Sequence, residues 1–469
     1  MDNTQVLSDK QLSCKVWAET IRNFIFIALA FFVMQPLLFV ILTFLFGSRV
    51  IDNHTDSAMV IYLWKYTFYI YRIILIVSVM LLILFAMYIV LRKYAERGDI
   101  FVSGQSGARK SIIHSIKRYP ELYLFGLTFI WITIAFLLSG DLSSQSGLGD
   151  DKGQGYIYYL CFVVIFVSFF ATTKNQKAIL LELFIASATI ISLLADLIDG
   201  IGVMPRIYAF SFPETGIFSN RNYFGYFLAI ALVLPVARMY KSKNIYLQVY
   251  YAACIVINEL AMFITLTRGA FVGAFAGITF LLVFCPIQEK RFNIKLIIIP
   301  VILALALLAF ELTGVTQVFG RIESMAGDAS SEEAIDAMSS GRIAIWKGII
   351  EQIKGSPIIG VGFGNTPNPH NEFLQTAAWH GMPAAIFYIA AIITMAVNAI
   401  KHIKELTDTQ IAALCGAAGY IVSSFFGNGL LQTIPSYIIV LALCFNIELS
   451  LNNSDNKENK EEAGMQNLA

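Results

Sequence analysis

Long apolar runs alternate with short polar segments along almost the whole chain. Runs of about 17–25 residues are each long enough to cross a bilayer as a helix. They fall at about 23–46, 69–91, 121–139, 156–173, 178–198, 223–239, 245–266, 269–286, 296–312, 383–400, 410–427 and 436–450. The pattern predicts an all-α polytopic membrane protein with about 12 transmembrane helices. One stretch breaks the rhythm, because residues 313–382 are too polar to span. The expected organisation is therefore 1–312 with helices one to nine, a loop over 313–382, 383–450 with helices ten to twelve, and a tail over 451–469. The tail is polar, low in aromatics and expected to be disordered.

The long loop carries elements of its own. Its first part, "GRIESMAGDASSEEAIDAMSSG", is small and acidic and reads as mobile. In "SSGRIAIWKGIIEQIKGSP", Trp346, Ile349, Ile350 and Ile353 recur at helical spacing; Ser340 is placed to cap the helix, and Gly355 and Pro357 to end it. "IIGVGFGNTPNP" reads as a glycine turn holding Gly362 and Gly364. Then comes "NPHNEFLQTAAWHG". There Asn368 is expected to cap a helix, Pro369 to take its first position, and His370 to follow in the first turn. A helix amino end disfavours imidazolium, so a neutral His370 able to accept a proton is expected.

Composition closes off the soluble alternative. The chain is 57% hydrophobic and 14% charged over 469 residues, more apolar surface than one soluble domain can bury. An even span count puts both termini on one side. The basic residues say which: Lys10, Lys15 and Arg22, then Arg92 and Lys93, Arg238, Lys241 and Lys243, and Lys290, Arg291 and Lys295 all fall on the side of the termini. The positive-inside rule makes that side the cytoplasm. The first apolar run is too long for a cleavable signal. All six cysteines fall in spans or inside segments, which offers no disulfide framework. A net charge of +1 argues nothing about nucleic acid.

The opposite face holds few arginines. Arg221, beside Asn222, lies in "FSNRNYFG" before span six. Arg268 lies in "TLTRGAF", in the turn between spans seven and eight, and Arg342 opens the loop helix. Guanidinium stays charged and meets phosphate oxygens in two-point contact, so these side chains around one cavity would suit a diphosphate headgroup. Simpler readings stand beside this one. Arg221 alone equally fits a residue snorkelling to phospholipid. Arg342 fits a brace to Glu332 or Glu333, and a lone loop histidine is more often bland than basic. "GVGFG" resembles a phosphate-cradling nest, though glycine turns are common. Glu259, inside span seven, is expected to brace one of the arginines, and His380 to lie at the surface. The histidines are scattered and "GDD" at Gly149–Asp151 is a weak carboxylate pattern, so neither metal nor cofactor is expected. No P-loop, dinucleotide fingerprint or Ser-His-Asp pattern is present.

Four segments together carry a resemblance: "SNRNYFG", "LTLTRGAFVG", "GRIAIWKGIIEQIKGSPIIGVGFGN", and "HN" followed by nine residues and Gly381. Over roughly residues 200–445 the chain resembles the O-antigen ligase and polymerase superfamily of bacterial envelope glycosyltransferases. The family pattern often has a second glycine three residues after the first, where this chain has Ala384. The resemblance implies a C-type glycosyltransferase fold. It implies transfer of an undecaprenyl-diphosphate-linked glycan at the outer face of the bacterial inner membrane, without nucleotide sugar or metal. The acceptor would be a lipid A–core sugar hydroxyl for a ligase, another lipid-linked repeat for a polymerase, or a protein for an O-oligosaccharyltransferase. Its site would use His370 as base and Arg221, Arg268 and Arg342 around the diphosphate. Asn371, Asn222, Trp346, Glu259, Gly362 and Gly364 would support them. The histidine motif and the long loop favour the ligase. A lipid-linked glycan transporter fits less well, because its ionisable groups would gather near the midplane rather than at one edge. A membrane scaffold would leave Arg268 and His370 unexplained.

Overall fold

The computed structural model describes residues 8–51, 66–97, 118–141, 147, 155–205, 214–290, 293–312, 342–429 and 432–448. The first part of the long loop, Ser340, Glu332, Glu333, the Gly149–Asp151 pattern and the tail lie outside the described residues. Among those described the chain is helical, with no strand.

The helices are α1 (Asp9–Val33), α2 (Gln35–Ile51), α3 (Tyr66–Arg97), α4 (Glu121–Leu138), α5 (Tyr156–Ser168), α6 (Lys174–Ala195), α7 (Arg221–Lys241) and α8 (Ile245–Thr265). They continue as α9 (Arg268–Glu289), α10 (Lys295–Leu312), α11 (Arg342–Gly355), α12 (Glu372–His380), α13 (Met382–Lys401), α14 (Asp408–Ser424) and α15 (Ile434–Leu443). Among the described residues, 8 helices are long and apolar enough to cross a membrane. Shorter apolar helices run over Gln35–Leu45, Tyr156–Ala171, Ile297–Leu312 and Ile434–Leu443. The chain is thus an all-α polytopic membrane protein.

Two predicted spans come out differently. The run at 23–46 is broken at Met34, between α1 and α2, where Pro36 follows at the start of α2. Proline lacks the amide that would continue the hydrogen-bond ladder. The last predicted span, 436–450, is the ten-residue α15, with Pro435 in its first turn. Beyond it the carbonyls of Phe445 and Ile447 accept from the Lys177 ammonium rather than from a further helical turn.

Helix α7 is the axis of the bundle. It is buried along nearly all its length and packs on α8, α9 and α14. Close approach between α9 and α14 depends on missing side chains: a Cβ on Gly273 would stand 2.4 Å from the Gly419 carbonyl oxygen. Small residues let two membrane helices meet at backbone distance, which recovers dispersion energy where lipid offers no hydrophobic gain. The outward faces of the helices are apolar, as lipid contact requires; Phe44, Phe275 and Leu305 are exposed.

The two ends of the bundle differ in chemistry. At one end cations fasten helix termini. Lys241 pairs with Glu289 at 3.1 Å, Arg118 with Glu405 at 2.9 Å, and Lys295 donates to the carbonyls closing α7. At the other end lie the amino termini of α7, α9 and α12 and the loop that precedes α12.

Candidate functional site

The α8–α9 connection is as tight as the sequence implies. Helix α8 ends at Thr265, Leu266 turns left-handed at φ 50°, and α9 starts at Arg268. Thr265 Oγ1 accepts from the Thr267 amide at 3.3 Å and locks the turn. The Thr267 hydroxyl reaches across to α7, 3.3 Å from the Arg221 carbonyl and 3.4 Å from Asn222 Oδ1. Asn220 caps α7 through the Asn222 amide at 2.8 Å. The starts of α7 and α9 are thereby side by side, and so are the backbones that carry Arg221 and Arg268. Both side chains are exposed; Arg221 meets Glu214 at 3.3 Å.

His370 is held differently from the expectation. The cap of α12 is Asn371, not Asn368: its side chain accepts from the Phe373 amide at 3.0 Å and the Leu374 amide at 2.9 Å. His370 precedes the helix in left-handed backbone, φ 48°. Asn368 accepts instead from the His370 amide at 3.0 Å, an Asx turn that competes with a helix start. The imidazole therefore lies outside the first helical turn. It is nonetheless held below its ordinary pKa, first by burial and second by the Arg342 guanidinium beside it. A neutral His370 is retained with its cause changed.

Three further contacts fix the His370 loop. The Trp346 indole of α11 donates to the Pro369 carbonyl at 2.7 Å. Asn428, just beyond α14, accepts from the Asn371 amide at 3.2 Å and donates to Asn368. Tyr226 of α7 donates to the Phe426 carbonyl in the same segment. The charge of Arg342 acts on Tyr226 as well as on His370. Arg342, His370 and the α7–α9 corner are thus linked through Tyr226 and the 426–428 segment.

Other expectations change. Glu259 does not brace an arginine: it is 5% exposed, its Oε2 lacks a hydrogen-bond partner, and no ion pair joins it to Arg221, Arg268 or Arg342 among the described residues. It sits six residues before the end of α8, about 9 Å below the turn. His380 is not at the surface but 1% exposed, boxed by Tyr159, Phe363 and Trp379, and burial pushes its pKa down to about 3. In "GVGFG" the Val361 amide donates to the Ala378 carbonyl at 2.8 Å and the Gly362 amide to Trp379 at 3.1 Å. Those donors strap the loop to α12 and are not open to a phosphate; Gly364 is exposed.

The spacing of the histidine motif has a direct meaning here. Asn371 is the cap, the nine residues are α12 itself, and Gly381 ends it at φ 83°. Ala384 is wholly buried among Ile132, Ile349, Phe363 and Trp379.

Glu372, Tyr226, Thr267 and Asn428 were not singled out from the sequence. Glu372 left a signal, since it is the one acid in an otherwise uncharged nine-residue helix apart from His380. It lines a cavity of about 350 Å³, walled mainly by apolar residues of α4, α5 and α15. Burial raises its carboxyl to about 7 against hydrogen bonds from Tyr388 and Tyr420 that lower it. Among the described residues no group of three or more His, Cys, Asp or Glu is placed to hold a metal ion.

A family model described as O-antigen ligase matches residues 252–389, from within α8 to within α13. The matched stretch includes Arg268, Arg342, Trp346 and His370; Arg221 precedes it. No curated protein matches the chain.

Proposed function

From membership of the O-antigen ligase and polymerase superfamily, which the match at residues 252–389 supports, we propose that the chain is a glycosyltransferase of the ligase type. It moves a glycan from undecaprenyl diphosphate to a lipid A–core sugar hydroxyl at the periplasmic face of the inner membrane, with both termini cytoplasmic. His370 takes the proton of the acceptor hydroxyl as attack begins, an effect of typically ~10²–10⁴-fold. Arg221 and Arg268 receive the charge that develops on the departing diphosphate. Arg342 orients that diphosphate and keeps His370 neutral. Attack opposite the leaving group inverts the anomeric centre.

The observation that carries this reading is the pairing of His370 with Arg342 in a loop fastened by Trp346 and Asn428. A base kept neutral beside a cation is what proton removal and anion departure both need. Donor turnover in proteoliposomes tests it: His370→Ala and Arg268→Ala should each lose transfer, and near-native rates from both would reject the assignment. Product analysis separates the family alternatives. Single transfer to a core acceptor supports the ligase, and growth on the lipid carrier supports a polymerase.

A further inference from the structure

The carboxyl of Glu372 holds an unusual post. Its two oxygens accept from the Tyr388 hydroxyl of α13 and the Tyr420 hydroxyl of α14, each at 3.1 Å. Tyr388 meets the Tyr437 hydroxyl of α15 at 3.4 Å, and the rings of Tyr420 and Tyr437 stack at 4.5 Å. One side chain in the first turn of α12 is therefore tied to three neighbouring helices.

The same carboxyl abuts the segment that holds the histidine. A Cβ on Gly429 would stand 3.2 Å from Glu372 Cδ, and the Gly429 amide donates to Gln375 of α12 at 3.1 Å. The preceding residue, Asn428, holds Asn371 and Asn368, and Asn368 accepts from the His370 amide. A contact route thus runs from the carboxyl through Gly429 and Asn428 to the histidine.

We propose that Glu372 is a positioning residue for the transfer step: its carboxyl, clasped by Tyr388 and Tyr420 at the head of the cavity, sets the start of α12 and the Asn428–Gly429 segment, and through them the placement of His370. This rests on the reading of His370 as base. The ionisable groups facing the carboxyl are Tyr388, Tyr420 and Tyr437 from α13, α14 and α15, with Tyr159 of α5 across the cavity. None is a cation. An ionised carboxylate there has hydrogen bonds but no counter-charge, which is costly in a buried site. Burial favours the neutral acid and the two donated hydrogen bonds favour the carboxylate, so the clasp persists in either form.

The test uses the full chain in proteoliposomes with a lipid-diphosphate glycan donor and compares native protein, E372Q, E372A and Y420F. E372A should lower kcat at least ~10-fold with donor KM within about two-fold, the signature of lost transition-state placement. A second readout does not depend on activity: the ¹³C resonance and titration of the His370 ring, one of 5 histidines, assigned through H370Q. E372A and Y420F should move it, and E372Q should leave it near native. A His370 signal unmoved by both E372A and Y420F, or moved as far by E372Q as by E372A, overturns the proposal. Full transfer by H370A would remove the base reading, while the ring signal still decides whether Glu372 positions the histidine.

Discussion

Replacing Gly381 with alanine probes the junction on which the His370 loop depends. Gly381 sits at φ 83°, ψ 164°, a region essentially closed to other residues, at a cost of about 1–3 kcal/mol. An added Cβ would lie 1.8 Å from the Ile358 carbonyl oxygen and 2.4 Å from its carbon, both backbone atoms. The two backbones must part by about 1.5 Å to reach ordinary contact. Such a shift breaks the bond from the Met382 amide to the Pro357 carbonyl (2.8 Å) and that from the Trp131 indole to the Ile358 carbonyl (3.2 Å). At about 0.5–1.5 kcal/mol each, with the backbone strain, the total is about 2–6 kcal/mol. Thermal unfolding of the detergent-purified protein, followed by tryptophan fluorescence, measures it, since Trp131, Trp346 and Trp379 all surround the loop. Gly348→Ala is the control: it lies inside α11 with nothing within 4 Å of the new Cβ, so about 0.5–1 kcal/mol of stabilisation is expected. A Gly381→Ala protein that melts with the native one, or above Gly348→Ala, would refute the reasoning.

Other outcomes follow from the same geometry. Arg342→Gln removes the cation that helps depress His370, so the ring should take up its proton at higher pH and the acid limb of transfer should move upward; an unmoved limb in the rate–pH profile speaks against their pairing. Asn371→Ala strips the α12 cap and the side chain that engages two amides; about 0.5–2 kcal/mol of stability should go, read from the same melting curves. Trp346→Phe leaves the ring but not its bond to Pro369, and should cost about 0.5–1.5 kcal/mol by melting. Gly273→Ala overpacks the α9–α14 contact and should cost about 1–3 kcal/mol.

Much of the architecture was legible because bilayer thickness imposes a length on every apolar run. The α8–α9 turn was legible in its length but not to the residue: Leu266 and Thr267 form it, and Arg268, expected in the turn, opens α9. The long-loop helix was legible from Trp346, Ile349, Ile350 and Ile353; Ile349 is buried, whereas Ile350 is exposed. What could not be read locally were choices made by distant partners. Asn368 and Asn371 are equally good caps by type. Asn428, nearly sixty residues on, binds both and decides which one serves the helix. His380 looked like a surface residue until Tyr159 and Phe363 closed over it. Glu259 looked like an ion-pair partner, yet its place below the α8–α9 turn sets it apart from the arginines.

By itself the sequence determined what the solvent demands: apolar helices to satisfy every backbone group in lipid, and polar turns at their ends. It also carried the exact length of α12, written as nine residues between Asn371 and Gly381. Tertiary structure alone decided which turns meet. Hydrogen bonds such as Thr267 to Arg221 and Asn428 to Asn371 join residues 46 and 57 positions apart. No local propensity encodes such pairs, because their energy exists only once the helices have packed.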